Sequence, residues 1–312
     1  MSNKNKISVT IITLTYRDFS GLSKTIRSVL NQAFNEVGFV EYLVVDDGSE
    51  KFDKAKVLEV IDEVKSDCSS VNSILVYANE INLGTVKSFN KAIDRSTGDI
   101  IIPLSSGDEF FDVNSVDEIV KQFTEENITI LTALRQVVDD SGVLCVEPSS
   151  YDTKLFDKGS EGRLLKRLVL RGNFISGACT YYSRNFLKGV GGFDEKYRLL
   201  EDYPMYLKAL NSGYHISIIK NVLMKHKVGG VSDGNEPVNE FFCKDHDLVK
   251  LWIQENIYLD KMDKRLFKYF QLMSKRQRLS FFCILKYPDC LIIWIFYFLV
   301  SGFSRGGFTR RI

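Results

Sequence analysis

Short runs of β-branched residues alternate, over the first hundred residues, with segments in which apolar residues repeat at helical spacing. These two patterns predict strands and helices, respectively. The predicted strands are 7–14, 40–45, 73–78 and 99–105, and the predicted helices are 21–32, 55–65 and 85–94. Such an alternation predicts parallel strands joined by right-handed crossovers. We therefore expect a Rossmann-like half in this part of the chain.

The pattern after residue 105 is less regular. It predicts helices at 116–123, 162–170 and 199–213, and strands at 128–138, 178–183 and 215–223. The segment GGVSDGNEP, residues 229–237, is rich in turn residues and predicts a boundary. We expect one domain formed by residues 1–230 and a C-terminal helical extension formed by residues 231–312.

Composition is that of an ordinary globular protein. The 312 residues are 45% hydrophobic and 26% charged, with a formal net charge of +1. The charge is uneven, because eleven Lys or Arg residues and only two Asp residues follow residue 260. Since the positive charge is confined to a tail that also contains an apolar segment, we expect no nucleic-acid partner.

Cysteine usage and the N-terminus both bear on location. None of the six cysteines forms a Cys-x-x-Cys pair, which favours free thiols in a reducing compartment over a disulfide framework or a zinc site. The N-terminal apolar run is short and interrupted by threonine, so we interpret it as a first strand rather than a signal peptide. Together these features predict a cytoplasmic protein.

The C-terminal region contains an uninterrupted apolar run, residues 290–300. A helix that crosses a bilayer needs about 20 apolar residues, and shorter runs are more often buried, re-entrant or interfacial. Lys286 precedes the run and three arginines follow it, a pattern that suits an anionic membrane surface. We expect peripheral attachment to the inner face of the cell membrane. The alternative is packing on the main domain or on a second copy in a homodimer.

Three acidic groups are candidates for chemistry. Asp47 ends the second predicted strand, Asp108 and Glu109 follow the fourth, and Glu201 and Asp202 begin a predicted helix. The carboxyl ends of strands in an open α/β sheet form the usual ligand crevice. Each group also has a structural interpretation: a turn for the first two, and a favourable interaction with a helix dipole for the third.

Six short motifs, in order and at plausible spacing, resemble those of one enzyme family. They are SVTIITLTYRD, EYLVVDDGS, NLGTVKSFNKAI, LSSGDEF, GGFDEKYRLLEDYPMYLKAL and KHKVGGVS. Over roughly residues 7–230 the chain resembles the inverting family-2 glycosyltransferases with the GT-A fold, especially bacterial enzymes that assemble surface polysaccharides such as O-antigen and capsule. The resemblance implies an α/β fold with a mostly parallel, Rossmann-like sheet flanked by helices.

The resemblance also implies a nucleotide-sugar donor, with UDP favoured and dTDP as the alternative. It places Asp47 on the base, where it would accept a hydrogen bond from uracil N3–H, and Tyr16 could stack on that base. Lys87 and Asn90, three residues apart on a predicted helix, would face the diphosphate. The implied donor-binding residues are Thr15, Tyr16, Asp47, Gly84, Lys87, Asn90 and Ser106.

The motif LSSGDEF lies where the family carries Asp-x-Asp. The resemblance implies that Asp108 binds Mn²⁺ or Mg²⁺, which would stabilise the charge of the departing diphosphate. Ser105 and Gly107 lie where the family often has acids, so we expect a weakly held ion that takes further ligands from the diphosphate and water. His226 is the second candidate ligand, and imidazole suits Mn²⁺ better than Mg²⁺.

The pair Glu201–Asp202 corresponds to the family's Glu-Asp motif. The resemblance implies that Asp202 is the catalytic base, which takes a proton from the acceptor hydroxyl as that oxygen attacks the anomeric carbon. Glu201 would support this geometry. The implied acceptor is a polyprenyl-linked sugar or an oligosaccharide.

Two other functions remain open from the residues alone. A nucleotidyltransferase would need a Gly-rich phosphate loop after the first strand, and the segment TLTYRDFSG has none. A non-catalytic nucleotide-sugar-binding protein with a degenerate metal site is compatible with Ser105 and Gly107. Metal-dependent hydrolysis of the donor would distinguish an enzyme from such a binder.

Overall fold

The computed structural model of the chain describes residues 7–65, 70–139, 141–228 and 239–304, and within them nine strands form one sheet. The strands are Ser8–Thr15 (β1), Phe39–Asp46 (β2), Ser73–Ala78 (β3), Ile100–Ser105 (β4), Glu109–Phe110 (β5), Ile130–Asp139 (β6), Gly142–Glu147 (β7), Thr180–Ser183 (β8) and Ile216–Lys227 (β9). Their order is β3-β2-β1-β4-β8-β6-β9-β5, and β7 pairs with β6 beside this path.

Helices flank the sheet and continue beyond it. They are Leu22–Leu30 (α1), Lys54–Lys65 (α2), Thr85–Asp94 (α3), Ser115–Glu125 (α4), Ser150–Thr153 (α5), Glu161–Arg171 (α6), Arg184–Val190 (α7), Asp202–Asn211 (α8), Glu240–Asn256 (α9), Lys261–Phe267 (α10), Lys275–Arg278 (α11), Phe281–Lys286 (α12) and Pro288–Ser304 (α13). The predicted fold class, an α/β sheet flanked by helices with further helices at the C-terminus, is confirmed.

The first four strands form the parallel part of the sheet. Strand β1 pairs in parallel with β2 and β4, and β2 pairs in parallel with β3. The register aligns Thr15 with Asp46 and Leu14 with Ser105, so β1, β2 and β4 end at one edge. The predicted Rossmann-like half is therefore present, and the loops that leave these three strands are neighbours.

The other half of the sheet is mixed. Strand β8 is antiparallel to β4 and β6, whereas β6 and β9 are parallel. The two-residue β5 is antiparallel to β9 and aligns Glu109 with Lys225. This short pairing holds the loop after β4 against the end of β9, which brings two distant segments of the chain to one place.

Apolar side chains are buried on both faces of the sheet, and the C-terminal helices belong to one of the two cores. The core that contains α3, α6 and α8 also contains Val249, Ile253, Phe267 and Cys290. The helices after residue 239 therefore pack on the same body as the sheet. The division of the chain at residue 230 stays a prediction, since residues 229–238 lie outside the described part.

The apolar run at 290–300 lies in α13. Cys290 is fully buried and Trp294 packs against the core, whereas Ile292 and Phe296 are 67% and 60% exposed. Over the described residues, none of the helices combines the length and the apolar character needed to traverse a membrane. The inward face of α13 is thus part of the packed structure, and its outward face is apolar and exposed.

Candidate active site

A cavity of about 2200 Å³ lies at the carboxyl edge of the parallel strands. Its walls are the loops after β1, β2 and β4, the segment between α6 and β8, the start of α8, the end of β9, and side chains of α9, α11 and α13. This volume exceeds the roughly 300–1000 Å³ of an ordinary small-molecule pocket, so two substrates can be held together. Eight predicted site residues line it: Thr15, Tyr16, Asp47, Ser106, Asp108, Glu201, Asp202 and His226.

The other three predicted donor-binding residues lie outside the cavity lining. Lys87 is exposed on α3. Gly84 precedes α3 with φ of 88°, and a side chain there would collide with Arg198. Asn90 donates from Nδ2 to the carbonyl of Phe193 at 2.8 Å and accepts at Oδ1 from its N–H at 3.0 Å. The predicted diphosphate contacts of Lys87 and Asn90 stay predictions, and in this structure the Asn90 amide anchors the loop at Phe193.

Asp47 organises the loop that leads into α3. Its Oδ1 accepts hydrogen bonds from Asn79 Nδ2 (3.1 Å), Ser88 Oγ (2.7 Å) and the N–H of Leu83 (2.9 Å), and its Oδ2 accepts from the N–H of Gly84 (2.8 Å). A carboxylate offers about four acceptor positions. Because Oδ2 accepts only one of these bonds, it keeps a position for a further donor, and the base-binding role of Asp47 stays a prediction.

The loop after β1 presents an aromatic ring to the cavity. Tyr16 is 38% exposed, and the Arg17 guanidinium lies 4.8 Å from its ring centroid. Arg17 has φ of 62°, a left-handed conformation that is uncommon for a residue with a side chain. Its N–H donates to Ser49 Oγ at 2.9 Å, which ties this loop to the loop after β2. The exposed face of Tyr16 is thus available to stack on a planar base.

The two predicted metal ligands, Asp108 and His226, are in contact. Asp108 Oδ1 lies 2.6 Å from His226 Nδ1. Asp108 is only 3% exposed, and its second oxygen, Oδ2, is buried with no hydrogen-bond partner among the described residues. A buried carboxylate oxygen without a partner carries a desolvation cost, so this atom is a natural ligand for a cation.

Few other side chains could complete a metal site here. In the part of the chain that the structure describes, no three His, Cys, Asp or Glu side chains form a group able to hold a metal. A mixed oxygen and nitrogen donor set fits Mn²⁺ better than Mg²⁺. Hard cations often keep waters and substrate phosphates as most of their ligands. Asp108 and His226 therefore fit a cation that would take its remaining ligands from water or from a bound phosphate.

The second acidic pair begins α8. Asp202 Oδ1 accepts from the N–H of Tyr203 at 2.6 Å, and Oδ2 accepts from Asn173 Nδ2 at 2.9 Å. A Cβ at Gly177 would lie 3.1 Å from both Asp202 Oδ2 and Glu201 Oε1, closer than most real contacts. The glycine at position 177 therefore leaves the space that both carboxylates occupy.

The pKa values of this pair are shifted in a way that suits proton transfer. Burial raises the pKa of Glu201, and the adjacent Asp202 charge raises it further, to about 8. Burial also raises the pKa of Asp202, but hydrogen bonds from Tyr203 and Asn173 favour its charged form and limit the value to about 6. Burial and mutual repulsion therefore favour one proton on the pair, and the hydrogen bonds to Asp202 favour the charged form of that residue, as a general base requires.

A half-buried ion pair on the cavity wall was not identified from the sequence. Arg135 Nη2 on β6 lies 2.9 Å from Glu147 Oε2 on β7, with side chains 13% and 17% exposed. Burial alone would lower the pKa of Arg135, but the charges of Glu147 and Asp108 help to raise it. The Arg135 charge also favours ionised Asp202. A charged residue within a strand pattern carries no local sign that it faces a cavity.

Asp245, on α9, fixes the loop that precedes Glu201. It is 3% exposed and accepts hydrogen bonds from the N–H groups of Arg198 (2.9 Å), Leu199 (2.6 Å) and Leu200 (3.1 Å). The sequence contains no signal for this contact, because the partners are about 45 residues apart. The C-terminal helices thus take part in positioning the acidic pair.

Known proteins similar to this chain form a consistent set. The family model described as glycosyl transferase family 2 matches residues 10–191, more than half of the chain. The O-antigen chain rhamnosyltransferase WbaN of Salmonella anatum is 25% identical over 158 residues, 50% of this chain and 49% of that protein. The chain thus spans about half the length of this relative. An uncharacterised glycosyltransferase of Methanocaldococcus jannaschii is 24% identical over 231 residues, 72% of each chain.

Solved structures show the same fold. The structure of Staphylococcus aureus TarS 1-349 in complex with UDP-GlcNAc matches with a TM-score of 0.60 and 19% identity, covering 88% of this chain and 73% of that chain. The mannosyltransferase PcManGT of Pyrobaculum calidifontis, in complex with GDP-Man and Mn²⁺, matches with a TM-score of 0.53 and 14% identity, covering 87% and 70%. At these identities the likeness concerns the fold alone.

Proposed function

The chain belongs to glycosyl transferase family 2, and on that premise we propose that it is a metal-dependent, inverting transferase of the hexosyl type. It would move a sugar from a UDP-sugar to a hydroxyl of a lipid-linked or oligosaccharide acceptor in surface-polysaccharide assembly. The observation that carries this proposal is the presence, in one cavity, of a carboxylate–imidazole pair suited to a cation and an acidic pair suited to proton transfer.

The donor would bind along the carboxyl edge of β1, β2 and β4. Tyr16 offers an exposed ring for the base, and Thr15 and Ser106 line the same wall. The TarS structures that share this fold contain UDP or UDP-GlcNAc, which favours UDP as the nucleotide. Asp108 and His226 would hold Mn²⁺ or Mg²⁺, which would stabilise negative charge on the leaving diphosphate.

Transfer would need a base on the opposite side of the anomeric carbon from the diphosphate. Asp202 would take the proton of the acceptor hydroxyl while that oxygen forms a bond to the anomeric carbon and the bond to the diphosphate oxygen breaks. Asn173 and the Tyr203 N–H hold the Asp202 carboxylate in place. Glu201, protonated near neutral pH, would keep a second negative charge away from the base.

A thermal-shift panel tests the donor assignment. Purified protein is heated with UDP-, dTDP- and GDP-sugars, with and without Mn²⁺. We expect a UDP-sugar to raise Tm most, and more with Mn²⁺, because a ligand that binds only the folded state stabilises it. If no nucleotide sugar raises Tm, the proposal is wrong. Slow Mn²⁺-dependent release of UDP from the matched donor distinguishes an enzyme from the alternative, a binder with a degenerate metal site.

Attachment to the inner face of the cell membrane is a separate part of the proposal. Phe281 and Phe282 on α12 are 72% and 83% exposed, and the basic residue Lys286 ends the same helix. Exposed aromatic side chains beside cations suit an anionic lipid surface. Deletion of the apolar run would be a poor test, because Cys290 and Trp294 pack against the core.

A substitution of the exposed aromatic residues avoids that difficulty. The double variant Phe281→Ser/Phe282→Ser should lose binding to sedimented vesicles of anionic phospholipid. The control Tyr258→Ser changes another aromatic side chain, 91% exposed before α10, and should bind as wild type does. Wild-type protein that stays in the supernatant contradicts membrane attachment. Light scattering on the same samples shows whether α12 and α13 instead mediate a homodimer.

A further inference from the structure

Two basic residues of the C-terminal helices line the same cavity as the two acidic sites. They are Lys275 and Arg278, both on α11, and we call them the α11 cation pair. Across the described segments, neither has a carboxylate at ion-pair distance, and Nε of Arg278 is buried with no hydrogen-bond partner. A buried cationic donor is costly unless an acceptor satisfies it. Lys275 is exposed and Arg278 is half-buried, so the atom that needs an acceptor is the buried Nε of Arg278, which an anionic group of a ligand would satisfy.

The α11 cation pair is held by its own local structure. Ser274 and Gln277 form a capping box, in which the Ser274 side chain accepts from the Gln277 N–H and the Gln277 side chain accepts from the Ser274 N–H. Reciprocal bonds of this kind fix the first turn of a helix. The two cations are thus presented from an ordered turn rather than from a free tail.

The position of α11 indicates that an anionic group bound there is part of the acceptor. Asn173, which hydrogen-bonds the proposed base Asp202, follows Gly172. A Cβ at Gly172 would lie 3.7 Å from Nε2 of Gln271, which precedes α11 by four residues. The chain that leads into α11 therefore passes the segment that holds the base. Since the base must contact the acceptor hydroxyl, a ligand group near α11 belongs to the acceptor rather than to the donor.

Another cation on this side of the cavity is already engaged within the protein. Arg167 Nε lies 3.6 Å from Asp152 Oδ1, and its guanidinium lies 4.6 Å from the ring centroid of Phe174. Arg167 Nη1 also donates to the carbonyl of Gly172 at 3.2 Å. These contacts give Arg167 a structural role, whereas neither member of the α11 cation pair has a carboxylate at ion-pair distance among the described residues.

Exposed apolar side chains follow the α11 cation pair directly. Leu279, Phe281, Phe282 and Leu285 are 48%, 72%, 83% and 64% exposed. An apolar surface next to two cations is complementary to an amphiphile that carries an anionic head on a hydrocarbon chain. A free oligosaccharide has no hydrocarbon chain that could pack against this apolar surface.

We propose that the α11 cation pair binds the phosphate of a lipid-linked acceptor, with the hydrocarbon chain directed along α12. This inference rests on the proposed function and names its acceptor class: a sugar joined through phosphate to a long-chain alcohol. The pair would fix the acceptor so that its hydroxyl reaches Asp202. It would have no part in binding the donor.

Titration calorimetry with three probes tests this inference. Farnesyl diphosphate, farnesol and inorganic pyrophosphate are each titrated into full-length protein that is saturated with UDP and Mn²⁺, so that the donor site is filled. Farnesyl diphosphate should bind most tightly. The double variant Lys275→Gln/Arg278→Gln should bind it at least about tenfold more weakly, because charged hydrogen bonds are lost. The control Arg276→Gln alters the exposed neighbour on the same helix and should bind like wild type.

Several results would overturn the inference. If the double variant binds farnesyl diphosphate as tightly as wild type does, the α11 cation pair has no role. If the control Arg276→Gln loses as much affinity as the double variant, the effect comes from overall positive charge and not from the pair. Pyrophosphate that binds as tightly as farnesyl diphosphate contradicts a lipid-linked ligand. UDP is titrated first in every sample, which also verifies folding of each variant. Failure of UDP to bind wild type would contradict the proposed function, whereas normal UDP binding without farnesyl diphosphate binding contradicts this inference alone.

Discussion

The two acidic sites of the cavity differ in what surrounds each carboxylate. Asp108 follows a strand, contacts the imidazole of His226, and keeps one buried oxygen without a hydrogen-bond partner among the described residues. Asp202 begins a helix beside a second acid, and both of its oxygens accept hydrogen bonds. The first arrangement leaves a buried carboxylate oxygen that can bind a cation. In the second, hydrogen bonds favour the charged carboxylate while burial favours the protonated one, so the group can titrate near physiological pH. We therefore propose that similar carboxylates serve as a cation ligand in one place and as a proton acceptor in the other.

Loss of the proposed base should have the largest effect. Asp202→Asn keeps the size of the side chain but cannot take a proton, so kcat should fall by about 10²–10⁴. The Tm increase caused by UDP-sugar should be unchanged. Glu201→Gln should be milder, because Asp202 remains and Glu201 is already protonated near neutral pH. Transfer by Asp202→Asn at a rate close to wild type would show that another group is the base.

Loss of the proposed metal ligand should come next. Asp108→Ala removes the buried carboxylate, and the stimulation of transfer by Mn²⁺ should fall about a hundredfold, since a metal contributes several kcal/mol to stabilising the leaving group. Glu109→Ala, the neighbouring acid, should have a small effect. Rates are compared across a range of Mn²⁺ concentrations and in EDTA. Full activity of wild type in EDTA would contradict the metal role.

The pH dependence distinguishes the two sites further. Asp202 must be charged to act, so kcat/KM should fall as pH falls through its pKa of about 6. Asn173→Ala removes a hydrogen bond that stabilises the charged form, which raises this pKa and moves the acid limb to higher pH, by about one unit or less. Asp108→Ala should reduce the rate without moving the limb. If the acid limb of Asn173→Ala lies at the same pH as that of wild type, a group other than Asp202 causes the limb.

A small effect is expected from crowding the acidic pair. Gly177→Ala places a methyl group against both carboxylates, so these side chains must shift by a few tenths of an ångström. We expect a severalfold loss of kcat with little change in KM for the donor, because small displacements of a base reduce the rate. Steady-state kinetics and Tm measure both effects. A large fall in Tm with unchanged kcat would indicate that Gly177 matters for packing alone.

The sequence predicted the parallel half of the sheet well because its signals are local. Each strand and helix from β1 to β4 has its own hydrophobic period, and their alternation determines the topology. The proximity of Asp108 and His226 has a different origin. It depends on the pairing of a two-residue strand, β5, with β9, and so short a strand has no pattern of its own. The family resemblance, rather than periodicity, brought the two residues together as candidates.

Contacts between residues far apart in the sequence were not predicted. Asn90 has the spacing of a ligand-facing helix residue, and its amide also forms hydrogen bonds with Phe193, 103 residues away. Asp245 and Arg135 act through contacts that only the assembled fold creates. Lys275 and Arg278 look like part of a basic tail until the packing of α11 places them on the cavity wall. Local patterns contain no information on such contacts.

The most direct test of the difference between the two acidic sites is a Mn²⁺ titration of wild type, Asp108→Ala and Asp202→Asn, each with and without UDP. We predict weak binding to wild type alone and much tighter binding with UDP, because the diphosphate completes the coordination. Asp202→Asn should match wild type, and Asp108→Ala should lose the tight binding. Equal losses in both variants, or tight binding by Asp108→Ala, would contradict the assignment of the cation to one site and the proton to the other.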